Sequence, residues 1–298
     1  MQQRMLLGLI GANIQKSLSP ALQEDACAAA GIRGHYHLMD LDALPGRDLE
    51  SLLDAARTAG FAGVNVTFPC KESVLPLLDA ISPEARQIGA VNTVVISADG
   101  KTSGYNTDRV GFRRAFEEEL GAAAVRGKTA LLVGAGGAGR AVAFALFDLG
   151  VLAVRIHDQV PDRARRLADG LVSVFGAGRS EAVADVASAL SDAAGMVNAT
   201  PVGMLGIPGT PVPLDVVAPR HWVADVIYTP LETDLVTAAR AKGCKTMGGS
   251  GMCVHQAAET FRLFTGCTPD LRRMQRTFTE AAALRDRMLE DRPIHQEA

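Results

Sequence analysis

The residues with the clearest chemistry are Gly134, Ala135, Gly136, Gly137, Ala138 and Gly139. They spell G-x-G-x-x-G directly after an apolar run, TALLV, and directly before a helical pattern, RAVAFALFDLG. Alone, that spacing says little; between a strand and a helix it has a mechanism. Gly134 permits the tight turn, Gly136 lets the backbone approach a pyrophosphate, and Gly139 lets the helix pack on the strand. The helix start then presents free N–H groups and a partial positive charge to phosphates. Gly137 and Ala138 complete this candidate cofactor-binding turn.

The next strand, LAVRIH, ends at Asp158, nineteen residues beyond Gly139. An acid at that strand end accepts hydrogen bonds from both ribose hydroxyls of NAD. It also repels the 2′-phosphate of NADP. Arg163, Arg165 and Arg166 lie close by and compete with that effect. Arg165 and Arg166 read as a solvated helix face, and Arg163 stays a candidate contact for the adenosine. The balance favours NAD over NADP.

Three further segments are more polar than their neighbours. In Gln15-Lys16-Ser17-Leu18-Ser19-Pro20 the serines lie before a helix, where Ser19 is expected to cap it. Asn65-Val66-Thr67-Phe68-Pro69-Cys70-Lys71 runs from a strand into an expected helix start, where a lysine is electrostatically unfavourable and needs a reason. Asn92 and Asn106-Thr107-Asp108 form the third, with Asp108 at an expected N-cap.

These stretches resemble the shikimate dehydrogenase family, including its quinate/shikimate branch. The resemblance rests on GANIQKSLSP (11–20), NVTFPCK (65–71), GAVNT (89–93), GYNTD (104–108), GAGGAG (134–139), NATPVGM (198–204), DVIYTPLET (225–233) and GMCVHQA (251–257), in order along nearly the whole chain. It implies that Ser17 and Ser19 bind the carboxylate of a cyclic hydroxy acid. Thr67, Asn92 and Gln256 would hold ring hydroxyls or the surrounding network, and Tyr228 would lie near the carboxylate. Lys71 and Asp108 would form the catalytic pair. Thr200, Pro201, Val202 and Met204, with Val226 and Gly249, would line the nicotinamide side. Two departures stand out. Asn13 and Lys16 occupy positions where the family usually has a proline and a histidine. His157-Asp158-Gln159 replaces the Asn-Arg-Thr usual in NADP-using members.

The implied chemistry is hydride transfer from a secondary alcohol. The hydride leaves only as the hydroxyl proton is removed, and a Lys–Asp pair can relay that proton. A neighbouring carboxylate raises a lysine pKa while desolvation lowers it, so the resting state of Lys71 stays open. No metal is needed, because nicotinamide accepts the hydride. The leading expectation is an NAD-dependent dehydrogenase acting on shikimate or quinate. The alternatives are an NADP-dependent biosynthetic shikimate dehydrogenase and a catalytically silent dinucleotide-binding regulator. The last predicts the loss of Lys71 or Asp108, and both are present.

The elements that must hold these residues follow an α/β pattern. Strands are expected at 6–11, 35–39 and 63–68, then a hairpin over 92–106 turning at Asp99-Gly100. A compact βαβ unit follows from Thr129, with later strands near 195–200, 222–227 and 244–249. Helices are expected at 48–60, 108–120, 251–265 and 269–290, and DRPIHQEA (291–298) reads as a frayed tail. This pattern predicts a two-domain fold: an α/β substrate domain from 1–108 plus the closing helices of 251–290, and a Rossmann-type doubly wound domain over 109–250.

The 298 residues suit about two domains. A net charge of -3 argues against nucleic acid or an anionic membrane as partner. No apolar run is long enough to span a bilayer, and the opening MLLGLIGA reads as a buried first strand. Five scattered cysteines without a C-x-x-C pair fit a reducing cytoplasm. A monomer or homodimer is expected.

Overall fold

The structure is a computed structural model that describes residues 3–290; the expected frayed tail lies outside the described residues. Along the chain run β1 (Arg4–Gly11), α1 (Ser19–Ala29), β2 (Arg33–Asp40), α2 (Leu49–Thr58), β3 (Gly63–Val66), β4 (Ala80–Ile81), α3 (Pro83–Ile88), β5 (Thr93–Ile96), β6 (Thr102–Tyr105) and α4 (Asp108–Glu119). There follow β7 (Thr129–Val133), α5 (Gly137–Asp148), β8 (Ala153–His157), α6 (Pro161–Phe175), β9 (Ser180–Ala182), α7 (Val186–Ser191), β10 (Gly195–Asn198), β11 (Trp222–Asp225), α8 (Asp234–Ala241), β12 (Lys245–Met247), α9 (Gly249–Thr265) and α10 (Leu271–Glu290). The fold is α/β, with two compact units. Among the described residues, one contains 3–80, 93–104 and 257–290; the other contains 81–92 and 105–256.

The first unit is built on a mixed sheet of order β2-β1-β3-β5-β6-β4. β1 pairs in parallel with β2 and β3, and β3 pairs antiparallel with β5. Leu7, Ile10, Val64 and Val94 are buried in it. α2 shows how sequence sets an element. Asp48 and Ser51 form a reciprocal capping box at its start, and its apolar residues Leu49, Leu52, Leu53 and Ala56 recur on one buried face.

The second unit carries a sheet of order β12-β11-β10-β7-β8-β9, whose recorded strand pairs are all parallel. Renumbered within the unit, that is the doubly wound 3-2-1-4-5-6 arrangement. Helices cover both faces, so TALLV is buried throughout its apolar length. Leu131 and Val133 face one core, and Ala130 and Leu132 face the other. The switch point falls between β7 and β10, and ligands in such sheets bind outside the strand ends there.

Three expectations need correcting. The segment after β3 does not open a helix at Lys71. Cys70 N–H bonds Thr67 O, one further turn closes with Val74 N–H on Cys70 O, and a short 3-10 turn over Leu75–Leu77 follows. Pro76 cannot donate the next helical bond, so the helix-dipole objection to Lys71 does not apply. Ser19 does not cap α1. It is the first helical residue, and Ser17 Oγ accepts its N–H at 3.2 Å. Asp108 likewise begins α4, with Thr107 in the capping position.

Candidate active site

In the first unit, the β1–α1 connection carries Ser17 and Ser19, both half-buried. The acceptor side of Ser17 Oγ is taken by Ser19 N–H. Its own O–H therefore remains a donor for an anion. Thr67 and Lys71 follow β3 and are also half-buried. Thr67 N–H is fixed on Ile10 O at 3.0 Å. Behind these positions lies a buried polar network. Tyr36 O–H donates to Asn65 Oδ1 at 2.8 Å, and Asn65 Nδ2 donates to Thr93 Oγ1 and Thr260 Oγ1.

In the second unit, Asn92, Thr107, Asp108 and Gln256 form one cluster. Asn92 Nδ2 lies 2.9 Å from both Asp108 Oδ1 and Thr107 Oγ1, while Asn92 Oδ1 accepts Thr107 N–H at 2.8 Å. Thr107 Oγ1 donates to Gln256 Oε1 at 3.4 Å. Asn92 and Asp108 are buried. Gln256 is brought in by α9, which crosses α4 so closely that a Cβ on Gly111 would stand 2.8 Å from Met252 O and 2.9 Å from Gln256 Cβ.

The glycine turn follows β7 at the switch point. Gly134 has φ +104, and a Cβ there would lie 2.7 Å from the Ala199 backbone. A side chain on Gly139 would overlap Gly134 O. Beside Gly136, by contrast, no atom beyond its own chain neighbours stands within 4 Å of where a Cβ would sit. No side chain caps α5, so its first N–H groups face outward beside Gly136, Gly137 and Ala138. Asp158 Oδ2 accepts Ala135 N–H at 2.7 Å, and Oδ1 accepts Val160 N–H at 2.8 Å. Each carboxylate oxygen keeps acceptor capacity for a further donor. Arg163 is exposed on α6, as are Arg165 and Arg166, and Arg165 pairs with Asp162.

The loop after β10 holds Thr200, Pro201, Val202 and Met204. Asn198 Oδ1 accepts Thr200 N–H and O–H, and Asn198 Nδ2 donates to Val202 O and to Asp225 Oδ1. Asp225 also accepts Ile227 N–H and Thr233 O–H. Burial pushes its carboxyl up to about 6 despite those donors. Gly249 N–H bonds Ile227 O, and a Cβ on Gly249 would meet Val226 O, so Val226 and Gly249 share one place. Tyr228 is half-buried just beyond.

Sequence reasoning missed Asp40, Asn65, Asn198 and Asp225. Asn65, Asn198 and Asp225 lie inside the motifs quoted above, which is their only signal; Asp40 lies outside them. Among the described residues, no group of three or more His, Cys, Asp or Glu side chains could hold a metal ion, and no helix is long and apolar enough to cross a membrane.

Comparison with known proteins gives a consistent answer. Residues 9–94 match the shikimate dehydrogenase substrate binding domain, and 249–277 match the shikimate 5'-dehydrogenase C-terminal domain. A quinate/shikimate dehydrogenase (NAD(+)) of Corynebacterium efficiens is 49% identical, over 92% of this chain and 97% of that protein. A shikimate dehydrogenase (NADP(+)) of Streptomyces avermitilis is 47% identical, over 94% and 97%. The solved quinate dehydrogenase from Corynebacterium glutamicum in complex with NAD superposes with a TM-score of 0.86 at 45% identity, covering 93% of this chain and 99% of that one. With near-complete mutual coverage and all eight motifs in order, the chain belongs to the shikimate dehydrogenase family.

Proposed function

We propose that this protein is an NAD-dependent dehydrogenase that interconverts shikimate, and also quinate, with the corresponding 3-dehydro ketone. The observation that carries the cofactor half is Asp158, held by two backbone N–H groups at the end of β8 beside the open glycine turn. Its remaining acceptor capacity suits a ribose diol, and its charge opposes a 2′-phosphate. The uncapped start of α5 and the open space at Gly136 suit a pyrophosphate. Bound NAD supplies the hydride acceptor; the second unit is its proposed domain, and the first is the substrate domain.

The chain's own residues would do the rest. Ser17 and Ser19 donate to the substrate carboxylate. Thr67, Asn92 and Gln256 orient ring hydroxyls, and Tyr228 flanks the carboxylate end. Lys71 takes the hydroxyl proton during oxidation and returns it during reduction. Asp108, held by Asn92, balances and orients Lys71. Thr200 to Met204, with Val226 and Gly249, wall the nicotinamide side, and Arg163 meets the adenosine. The relatives named for NAD and for quinate/shikimate support this reading, as do the five cysteines outside any disulfide for a cytoplasmic location.

An initial-rate matrix of shikimate and quinate, each with NAD and NADP, tests it. The expected result is higher kcat/KM with NAD for both acids, and higher with shikimate than with quinate. A higher kcat/KM with NADP overturns the cofactor assignment.

A further inference from the structure

β1 ends at Gly11 and α1 begins at Ser19, and the connection between them carries both serines. In register beside Gly11 stands Asp40, the last residue of β2. Its side chain is 2% exposed. Asp40 Oδ1 accepts the N–H groups of Asn13 and Asp42, each at 3.1 Å. Oδ2 accepts Ile14 N–H at 3.1 Å and Gln15 Nε2 at 3.0 Å. Three of these four neutral donors belong to the connection.

The hold continues along the chain. Ile14 O accepts Ser17 N–H at 2.9 Å, and Ser17 Oγ accepts Ser19 N–H at 3.2 Å. A relay of hydrogen bonds therefore runs from the buried carboxylate through Ile14 to Ser17 and Ser19. Asn13 fits this path in a specific way. Its φ of +55 and its bonded N–H are both denied to proline. Burial pushes the Asp40 carboxyl up, yet Gln15, Asp42, Ile14 and Asn13 hold it below its ordinary value. The donors thus favour the ionised acceptor, and reciprocally that acceptor holds the loop more tightly than a neutral one.

We propose that Asp40 is a positioning residue for substrate affinity: it fixes the β1–α1 connection so that the Ser17 and Ser19 donors meet the substrate carboxylate. The inference rests on the reading that these serines bind that group. Asp40 is buried behind the connection and acts through it, not as a catalytic residue. Its removal should therefore raise KM for the acid and leave kcat and the KM for NAD alone.

The test is steady-state kinetics on the full chain, with thermal melting in parallel. Asp40→Asn puts an amide where the loop needs two acceptors, and should raise KM for shikimate about ten-fold, the worth of a charge-assisted hydrogen bond. Two milder variants serve should Asp40→Asn fold poorly. Gln15→Ala removes one donor from an exposed side chain, and Asn13→Ala keeps the N–H but makes the positive φ costly. Each should raise the same KM with kcat unchanged. Asp40→Asn combined with Ser17→Ala should cost less than the product of the two, because one path carries both. A lowered melting temperature with wild-type KM in Asp40→Asn overturns the proposal, as does wild-type KM in both milder variants. An unchanged KM in Ser17→Ala alone overturns instead the carboxylate reading beneath it.

Discussion

Asp108 opens α4 with Asn92 Nδ2 2.9 Å from its carboxylate, and Asn92 is itself pinned by Thr107 N–H. The role proposed for this fixed aspartate is to balance and orient Lys71. Lys71→Ala should lower kcat by about 10² to 10⁴-fold, the usual worth of a general acid–base group, with little change in KM. Asp108→Ala should behave similarly, and the double variant should fall no further than the worse single one, since the two act as a unit. Near-normal turnover in either single variant removes that residue from the mechanism. Asp158 makes a second residue-scale case, because it has two duties. It holds the glycine turn through Ala135 N–H and the next turn through Val160 N–H. Asp158→Ser keeps a short acceptor for the local N–H while removing the charge. Its kcat/KM with NADP relative to NAD should rise by about ten-fold or more, as expected when a repelled phosphate no longer faces a carboxylate. An unchanged ratio in that variant would falsify the assignment of Asp158 to cofactor choice.

At the scale of elements, the α4–α9 crossing sets where Gln256 meets the Asn92–Thr107–Asp108 cluster. A helix-interior glycine ordinarily costs about 0.5–1 kcal/mol relative to alanine, so Gly111→Ala gains intrinsic helix stability. The added methyl meets Met252 O at 2.8 Å and the Gln256 backbone N at 3.0 Å, neither of which can swing away. Overpacking of this kind costs about 1–3 kcal/mol. The crossing should therefore open, with a lower melting temperature and weaker binding of the acid; a variant as stable and active as wild type would show that the helices separate freely. Gly111 carried no such message in the sequence, and the reason is general to this protein. Period-two and apolar runs announced the strands, and the glycine turn announced β7–α5, because those signals are local. Asp40 reaches Ile14 across 26 positions, Asn198 reaches Asp225 across 27, and Asn65 reaches Thr260 across 195. No window of sequence contains both partners of such a pair. The caps expected at Ser19 and Asp108 fall one residue off, because Leu18 and Thr107 hold those positions. At Lys71 the expected helix gives way to single turns, with Pro76 unable to donate to a longer one.

For the whole molecule, stability can be followed by a probe that sits inside one of the two compact units. The chain has a single tryptophan, Trp222, and it is buried in β11 of the second unit, edge-on to Phe116 with ring centroids 5.0 Å apart. Its fluorescence therefore reports unfolding from within that unit, while circular dichroism reports the whole chain. The same strand ends in Asp225, whose fully buried carboxyl is raised from 3.8 to about 6, chiefly by burial. A carboxyl raised by folding binds its proton more tightly in the native state. Between the unfolded and folded values the native state carries the proton and the unfolded chain does not. The contribution of Asp225 to stability therefore falls as pH rises from about 4 to about 6, then levels once both states are ionised. At about 1.4 kcal/mol per unit, the contribution over that window is on the order of 3 kcal/mol. Asp225→Asn has no proton to lose there. It keeps one carbonyl oxygen for Ile227 N–H and Asn198 Nδ2, at some cost in the Thr233 bond. Urea unfolding followed at Trp222 should show the difference in stability, wild type minus variant, shrinking as pH rises through that window. Titrations elsewhere in the chain cancel in this difference. A difference that stays constant from pH 4.5 to pH 7 would place the ionisation of Asp225 outside the folding balance of the nucleotide-binding half, and leave the Asn198–Asp225 strut as a hydrogen-bonding device alone.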